Sequence, residues 1–311
     1  MVLEYRKDWT KNDVVIIANE RSKRPVVFGR TITCPFCRGS EHVTPPTKFA
    51  LPSEENWNIR VFDNAFSLVG TEKEYTDLDS SDSSYAYGEH ELIVETDVHE
   101  KLYQELSDDE LKHVFSAYRN RLEKLSGNPK AEYVLLFKNH GRMAGASIEH
   151  EHSQIISFPF LPEIPAEELA AVGDYKDKFG SCLYCDMPEK EKDNVLMQGE
   201  HFVAICPSFS RFQFEMWILP KKHVKSMLEL DEDGMTLELA VMVRECLRRL
   251  FFVAKDYNII YHNAPKGKDV HFHVEIYPRS GSWAGVELGT GVIANTKSEK
   301  DSLEALRRFE K

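Results

Sequence analysis

The feature that most constrains this chain is an ordered set of cysteines and histidines that occurs twice. The first half runs Cys34-Pro-Phe-Cys37, then an isolated His99, then His150-Glu-His152. The second half runs Cys182-Leu-Tyr-Cys185, an isolated His223, then His271-Phe-His273. From the isolated histidine to the His-x-His pair is 51 residues in one half and 48 in the other. The step from Cys-x-x-Cys to the isolated histidine is less regular, 62 against 38. Four features in the same order mark an internal duplication, in which each half builds the same supersecondary unit.

The pattern breaks near residues 160–180, where Phe160-Leu-Pro-Glu-Ile-Pro-Ala is followed by Gly173 and Gly180, which sets the two units at 1–165 and 166–311. Ser107-Asp-Asp-Glu110 reads as a capping box opening a helix. Leu111, Val114, Phe115, Tyr118, Leu122 and Leu125 form its apolar stripe, and Gly127 ends it. The counterpart in the second half is expected from near Asp231 to about Val253. Runs rich in β-branched and aromatic residues read as strands: 14–18, 60–62, 92–95, 133–137 and 154–158 in the first half, 202–206, 215–219, 258–261 and 272–277 in the second. The fold class expected is α+β, with two antiparallel sheets side by side, each carrying one long helix. The stretch 71–84 reads as a mobile loop. Lys221-Lys222 and Arg248-Arg249 read as solvated faces, and the aromatic run Phe209–Phe214 as core or subunit contact.

Composition narrows the function. A formal net charge of -12 argues against a nucleic-acid partner, because phosphate backbones select for positive surfaces. No apolar run reaches the roughly 20 residues of a membrane span, and no apolar leader follows the first residues. Two Cys-x-x-Cys pairs beside two lone cysteines, Cys206 and Cys246, suit a reducing, cytoplasmic setting in which such pairs bind metal or do redox work. Two thiols and two imidazoles, Cys34, Cys37, His99 and His150, make a closed tetrahedral set suited to structural zinc.

In an extended segment, positions i, i+2 and i+4 face one side, so His150, His152 and Gln154 line one surface. The preceding Asn139-His-Gly-Arg-Met-Ala-Gly-Ala-Ser147 carries two glycines and several small residues, suiting close approach of backbone to a ligand.

These residues resemble the active-site motif of galactose-1-phosphate uridylyltransferases, a branch of the histidine triad superfamily built from two such repeats. The resemblance spans nearly the whole chain, from Ala18-Asn-Glu-Arg21-Ser-Lys-Arg24-Pro25 to the tail Tyr277-Pro-Arg279 and Gly285-Val-Glu287-Leu-Gly-Thr-Gly291. It implies that His152 is the nucleophile, with Gln154, Ser147 and Asn139 on phosphate oxygens. Arg21 and Arg24 would face the nucleotide, Asp63 and Asn64 the ribose and base, and Glu287 the hexose hydroxyls. A nucleotide sugar and a hexose 1-phosphate are the implied substrates, and a homodimer the implied assembly, since relatives share their sugar-binding tails between subunits. Two positions depart from the family: Glu151 stands where it usually has Pro, and Lys138 where many members have Glu.

A neutral imidazole attacks the α-phosphorus when its other nitrogen is held as a donor. A sugar phosphate leaves with little help from a general acid, so Gln154 suffices where hydrolytic relatives carry a third histidine. The base is left open between uracil and adenine; plant-type relatives resembling this tail act as ADP-glucose phosphorylases. A zinc-stabilised nucleotide sensor is the rival from another class, and gives no role to an unligated His152 beside Gln154. For a second zinc, the repeat offers Cys182, Cys185, His223 and His271, which we prefer, while resemblance to the best-known members offers Glu168, His262, His271 and His273. Glu275 replaces the amide that would follow His273, and a carboxylate there repels a phosphate.

Overall fold

The computed structural model describes residues 2–11, 13–28, 34–231 and 234–308. Its strands and helices run β1 (Leu3–Lys7), β2 (Val14–Ala18), β3 (Thr47–Leu51), β4 (Ile59–Asp63), β5 (Ser83–Tyr85), β6 (His90–Val94), α1 (Asp108–Ser126), β7 (Tyr133–His140) and β8 (His152–Phe158). The second half adds α2 (Glu163–Phe179), α3 (Leu183–Lys190), β9 (Val195–Gln198), β10 (Phe202–Ile205), β11 (Met216–Pro220), α4 (Met235–Leu250), β12 (Tyr257–His262), β13 (His273–Pro278), α5 (Gly285–Thr290) and α6 (Glu299–Arg307).

Two expected sheets are in fact one. The strands form a ten-stranded antiparallel sheet in the order β3-β4-β6-β8-β7-β12-β13-β11-β10-β9, five strands from each half. The seam is the β7–β12 pair, with Phe137 opposite Ile260 and Asn139 opposite Asn258. Side-by-side packing would leave two strand edges with unpaired N–H and C=O groups; edge-to-edge pairing satisfies both. A smaller sheet, β2-β1-β5, stands apart.

Alternation along the strands sorts the side chains. Ile93 on β6, Ile155 on β8, and Val274 and Ile276 on β13 join Leu111, Val114 and Phe115 of α1 and Leu239, Val243 and Leu247 of α4 in one core. On the opposite face Leu92 and Val94 pack with Cys34, Phe36 and Phe62. His152 and Gln154 belong to that second face, as do His273 and Glu275 in the other half.

Helix α1 opens on the expected capping box: Glu110 N donates to Ser107 Oγ at 3.3 Å, and Ser107 N donates to the Glu110 carboxylate at 2.8 Å. Asp231 precedes α4 and accepts from Gly234 N and Met235 N, so it caps the helix rather than belonging to it. The stretch read as a break holds the 17-residue α2. Its Pro165 falls in the first turn, where no intrahelical N–H is needed, and Gly180 ends it at φ 72°. The 71–84 stretch supplies a buried Leu78 and most of β5. Arg248 and Arg249 are not a solvated face: Arg249 is buried and Arg248 Nε donates to Gln104 O at 2.9 Å. No helix among the described residues is long and apolar enough to cross a membrane.

Candidate active site and metal centres

The first cysteine–histidine set converges on one point. Cys34 Sγ and Cys37 Sγ each lie 3.6 Å from His150 Nδ1, and Cys37 Sγ lies 3.6 Å from His99 Nδ1. The two Nδ1 atoms are 3.4 Å apart. A tetrahedron with zinc's bonds of about 2.3 Å to sulfur and about 2.05 Å to nitrogen has edges of about 3.6 Å between sulfur and nitrogen and about 3.3 Å between nitrogens. Tautomer chemistry agrees. His150 Nε2 lies 2.7 Å from Thr96 O, which only accepts, so Nε2 carries the hydrogen and the Nδ1 lone pair faces the sulfurs. Burial pushes the Cys34 thiol up to about 11, so a thiolate forms here when a cation holds it.

The second set repeats this geometry. Cys185 Sγ lies 3.6 Å from His223 Nδ1 and 3.4 Å from His271 Nδ1; Cys182 Sγ lies 3.7 Å from His271 Nδ1. His271 Nε2 donates to Pro220 O at 3.1 Å, and His223 Nε2 meets Asp269 Oδ1 at 3.0 Å. This set is more open than the first, with Cys185 exposed where Cys34 is buried. Because His271 turns to the cysteines, it is absent from the alternative set. Glu168, His262 and His273 gather instead with Glu275, their ligand atoms within 4.8 Å of one another.

Two residues beyond the first cysteine–histidine set, His152 begins β8 at the wall of an open cleft. Its Nδ1 donates to His150 O at 2.7 Å, leaving the Nε2 lone pair free. Burial lowers its pKa to about 4, so the ring is neutral at neutral pH. The Phe36 ring stands edge-on against it, centroids 5.1 Å apart. Gln154, on the same face of β8, also lines the cleft, as do Arg21, Arg24, Asn64 and Ser147. Arg21 is braced by Phe66 O at 2.8 Å. Gly141 and Gly145 in the preceding loop take φ of 84° and 82°, and no atom lies within 4 Å of where a Gly145 Cβ would stand. The backbone there is left open to a ligand.

Three sequence candidates stand outside the lining. Asp63 ends β4 and pairs with Lys48. Asn139 Oδ1 accepts from Asn258 Nδ2 at 2.7 Å. The Glu287 carboxylate is taken by the backbone flanking its own short helix, at Ala284 N before it and Ala294 N after it.

Below the cleft lies a group that the sequence reading mentions only as two departures. Lys138 is fully buried and pairs with both Glu151 and Glu95; its Nζ also donates to His152 O at 3.3 Å. His140 Nδ1 meets Glu151 Oε1 at 2.9 Å, and Tyr118 and Ser153 both donate to Glu95. Lys138 outweighs the cost of burial and holds Glu151 well below the usual carboxylate range. The signal is that positions 138 and 151 depart together and with opposite charge.

In the second half the corresponding place is filled. His273 Nδ1 donates to His271 O at 3.1 Å, as His152 does to His150. Its ring is stacked on His262 at 4.5 Å and on Tyr184 at 4.4 Å. Glu275 pairs with Arg211 at 3.0 Å and His262 at 3.3 Å. Burial disfavours the charge on His262, but Glu275 and then Glu168 overcome it and hold its pKa up at about 10.

Known proteins resemble this chain along nearly its whole length. Residues 9–162 match the family profile described as galactose-1-phosphate uridyl transferase, N-terminal domain, and residues 168–290 match its C-terminal domain. The galactose-1-phosphate uridylyltransferase of Haemophilus influenzae is 30% identical over 89% of this chain and 82% of its own. The ADP-glucose phosphorylase of Arabidopsis thaliana is 28% identical over 98% of this chain and 92% of its own. A crystal structure of an ADP-glucose phosphorylase from that plant, with bound ADP-glucose, superposes with a TM-score of 0.81, covering 98% of both chains at 28% identity. The chain belongs to the galactose-1-phosphate uridylyltransferase family of nucleotidyltransferases.

Proposed function

We propose that this protein transfers a uridylyl group from UDP-glucose to a hexose 1-phosphate by way of a covalent adduct on His152. One observation carries the reading: a neutral imidazole, its Nδ1 hydrogen held by His150 O, lies at a cleft that also holds two arginines and a carboxamide. The Nε2 lone pair attacks the α-phosphorus, and the bond from that phosphorus to the bridging oxygen breaks. Glucose 1-phosphate leaves with the electron pair. The adduct is an imidazolium whose Nδ1–H stays on the His150 carbonyl. A phosphate oxygen of the second sugar phosphate then attacks the same phosphorus and returns the pair to Nε2. Arg21 and Arg24 hold the negative oxygens, Ser147 and Gln154 donate to them as charge shifts, and Asn64 stands toward the nucleoside.

Zinc is the reading for both cysteine–histidine sets, supported by their tetrahedral edges, and its role there is to hold folded structure. The unit boundary at 165/166 is supported by the metal sets falling one on each side. Six free cysteines suit a cytoplasmic protein. A homodimer is supported by the tail, where Trp283, Val286, Leu288 and Val292 are all exposed. Glu287 would meet the hexose of a second copy.

A second reading keeps the adduct but makes it adenylyl and the acceptor orthophosphate. The likeness to the Arabidopsis phosphorylase over nearly the whole chain favours it. Chromatography of products from UDP-glucose with galactose 1-phosphate, and from ADP-glucose with orthophosphate, separates the two. Release of free UMP or AMP at turnover rates without acceptor would contradict transfer altogether.

A further inference from the structure

Gln154 serves the proposed reaction only if its NH2 end, not its oxygen, faces the phosphate. A carboxamide has no intrinsic preference between these orientations, so the surrounding hydrogen bonds must decide it. Gln154 on β8 lies opposite Leu92 on β6, and His90 stands two residues back on the same face of β6. His90 Nε2 is 3.0 Å from Gln154 Oε1.

The tautomer of His90 follows from a donor that cannot turn. Leu68 N, a main-chain N–H, donates to His90 Nδ1 at 3.3 Å. The ring is buried and neutral, with burial lowering its pKa to about 4. A neutral imidazole that accepts at Nδ1 carries its hydrogen at Nε2, so Nε2 donates to Gln154 Oε1. Asn64 is fixed the same way: Phe66 N donates to Asn64 Oδ1 at 2.9 Å, which turns Asn64 Nδ2 toward the same oxygen at 3.5 Å. His90 Nε2 and Asn64 Nδ2 lie 3.2 Å apart, a contact that would be a hydrogen bond from Asn64 in the other tautomer. The main-chain N–H of Leu68 at Nδ1 excludes that tautomer, and both nitrogens then direct hydrogens at the one Gln154 oxygen. Were Gln154 flipped, both would meet its NH2 group, donor against donor in a buried place.

We propose that His90 is a positioning residue, which holds Gln154 Oε1 away from the cleft so that the Gln154 NH2 group faces the transferring phosphate. Two main-chain N–H groups of the loop after β4 thereby set a side chain one hydrogen bond further on. The inference rests on the reading of His152 as nucleophile, and its test is arranged to separate the two.

The first readout needs no turnover. In the zinc-loaded, full-length protein labelled with 15N-histidine, the His90 signals are assigned by their loss in H90Q or H90F, whichever folds. An Nε2–H tautomer at pH 7 is expected; an Nδ1–H tautomer would overturn the proposal. The second readout is a double-mutant cycle on the rate of adduct formation. H90F is expected to slow that step by about 10–100-fold, a part of what losing an oxyanion donor costs, with nucleotide-sugar affinity changed less than about threefold. In a Q154A background the same substitution is expected to cost less than about twofold, because its effect runs through Gln154. Equal losses in both backgrounds would mean a structural role only, and the proposal falls. If the wild-type protein forms no adduct, the reading of His152 falls, while the His90 tautomer still decides the orientation of Gln154.

Discussion

The two halves of the sheet carry the same device to different ends. In each, the outer histidine gives its Nε2 hydrogen to a main-chain carbonyl and turns Nδ1 to two cysteines, while the inner one gives its Nδ1 hydrogen to the outer one's carbonyl. Two positions on, the halves part. Gln154 lines a cleft beside Arg21 and Arg24, whereas Glu275 is buried against His262 and Arg211. His152 keeps a free face; the His273 ring is covered by His262 and Tyr184. The scaffold of the repeat is thus retained in both halves, while the open face at the inner histidine is kept in only one. Where the first half has a carboxamide at an open cleft, the second has a carboxylate with Arg211 and His262 to neutralise it, and the place becomes a buried ion cluster.

Writing the second half's residue into the first is the harshest test of this contrast. Q154E puts a carboxylate at the cleft in place of a donor, and the rate of adduct formation is expected to fall by about 1,000-fold. Rapid-quench kinetics reads it, and a loss below about tenfold would break the comparison.

The metal sets differ in exposure, so they should differ in what they hold. C34S removes a buried ligand, and the melting temperature is expected to fall by about 10 °C or more, with loss of one zinc by elemental analysis. C185S, at the exposed set, should cost less. Under a chelator the second set is expected to lose its metal first. Equal release from both sets would show that exposure does not govern them.

Glu275 should matter for stability and not for the chemical step. E275Q leaves His262 with Glu168 and takes a partner from Arg211, at a cost of about 3 kcal/mol in urea unfolding. The pH dependence has a definite sign. The folded pKa of His262 is raised to about 10 from an ordinary 6.5, so its contribution is complete below pH 6.5 and is lost as pH rises through 10. E275Q is expected to flatten that alkaline decline.

The smallest effect expected is an absence. His152 is lowered to about 4 by burial, so adduct formation should stay level from pH 8 down to about 5.5, without the fall that an ordinary histidine shows. Single-turnover rates that halve near pH 6.5 would contradict it.

That the two cysteine–histidine sets converge and that His152 and Gln154 share a face is legible in the sequence, because spacing and strand alternation fix both and the recurrence fixes their order. The strands of the sheet centre are legible too, since alternation follows burial, but β1, β3, β5 and β9, at sheet edges or in the small sheet, lie outside the runs that read as strands. What escapes is pairing across the chain. Nothing in 133–140 or 257–262 says that these strands meet each other, because β7 and β12 each read as an ordinary half-buried strand. Helix α2 hides behind Pro165 and Gly173, which look like breakers until the proline is placed in a first turn. Lys138 and Glu151 read as separate oddities because a buried ion pair is a property of two strands. His90 carries no motif at all; its role exists only through Leu68, Asn64 and Gln154.

The central claim is that one repeat carries the covalent step and the other does not. Intact-mass measurement after incubation with UDP-glucose or ADP-glucose, without acceptor, tests it in the wild type, H152N and H273N. A nucleotidyl adduct is expected in the wild type and in H273N, and none in H152N. An adduct that survives in H152N, or one lost in H273N while that variant stays folded, would contradict it.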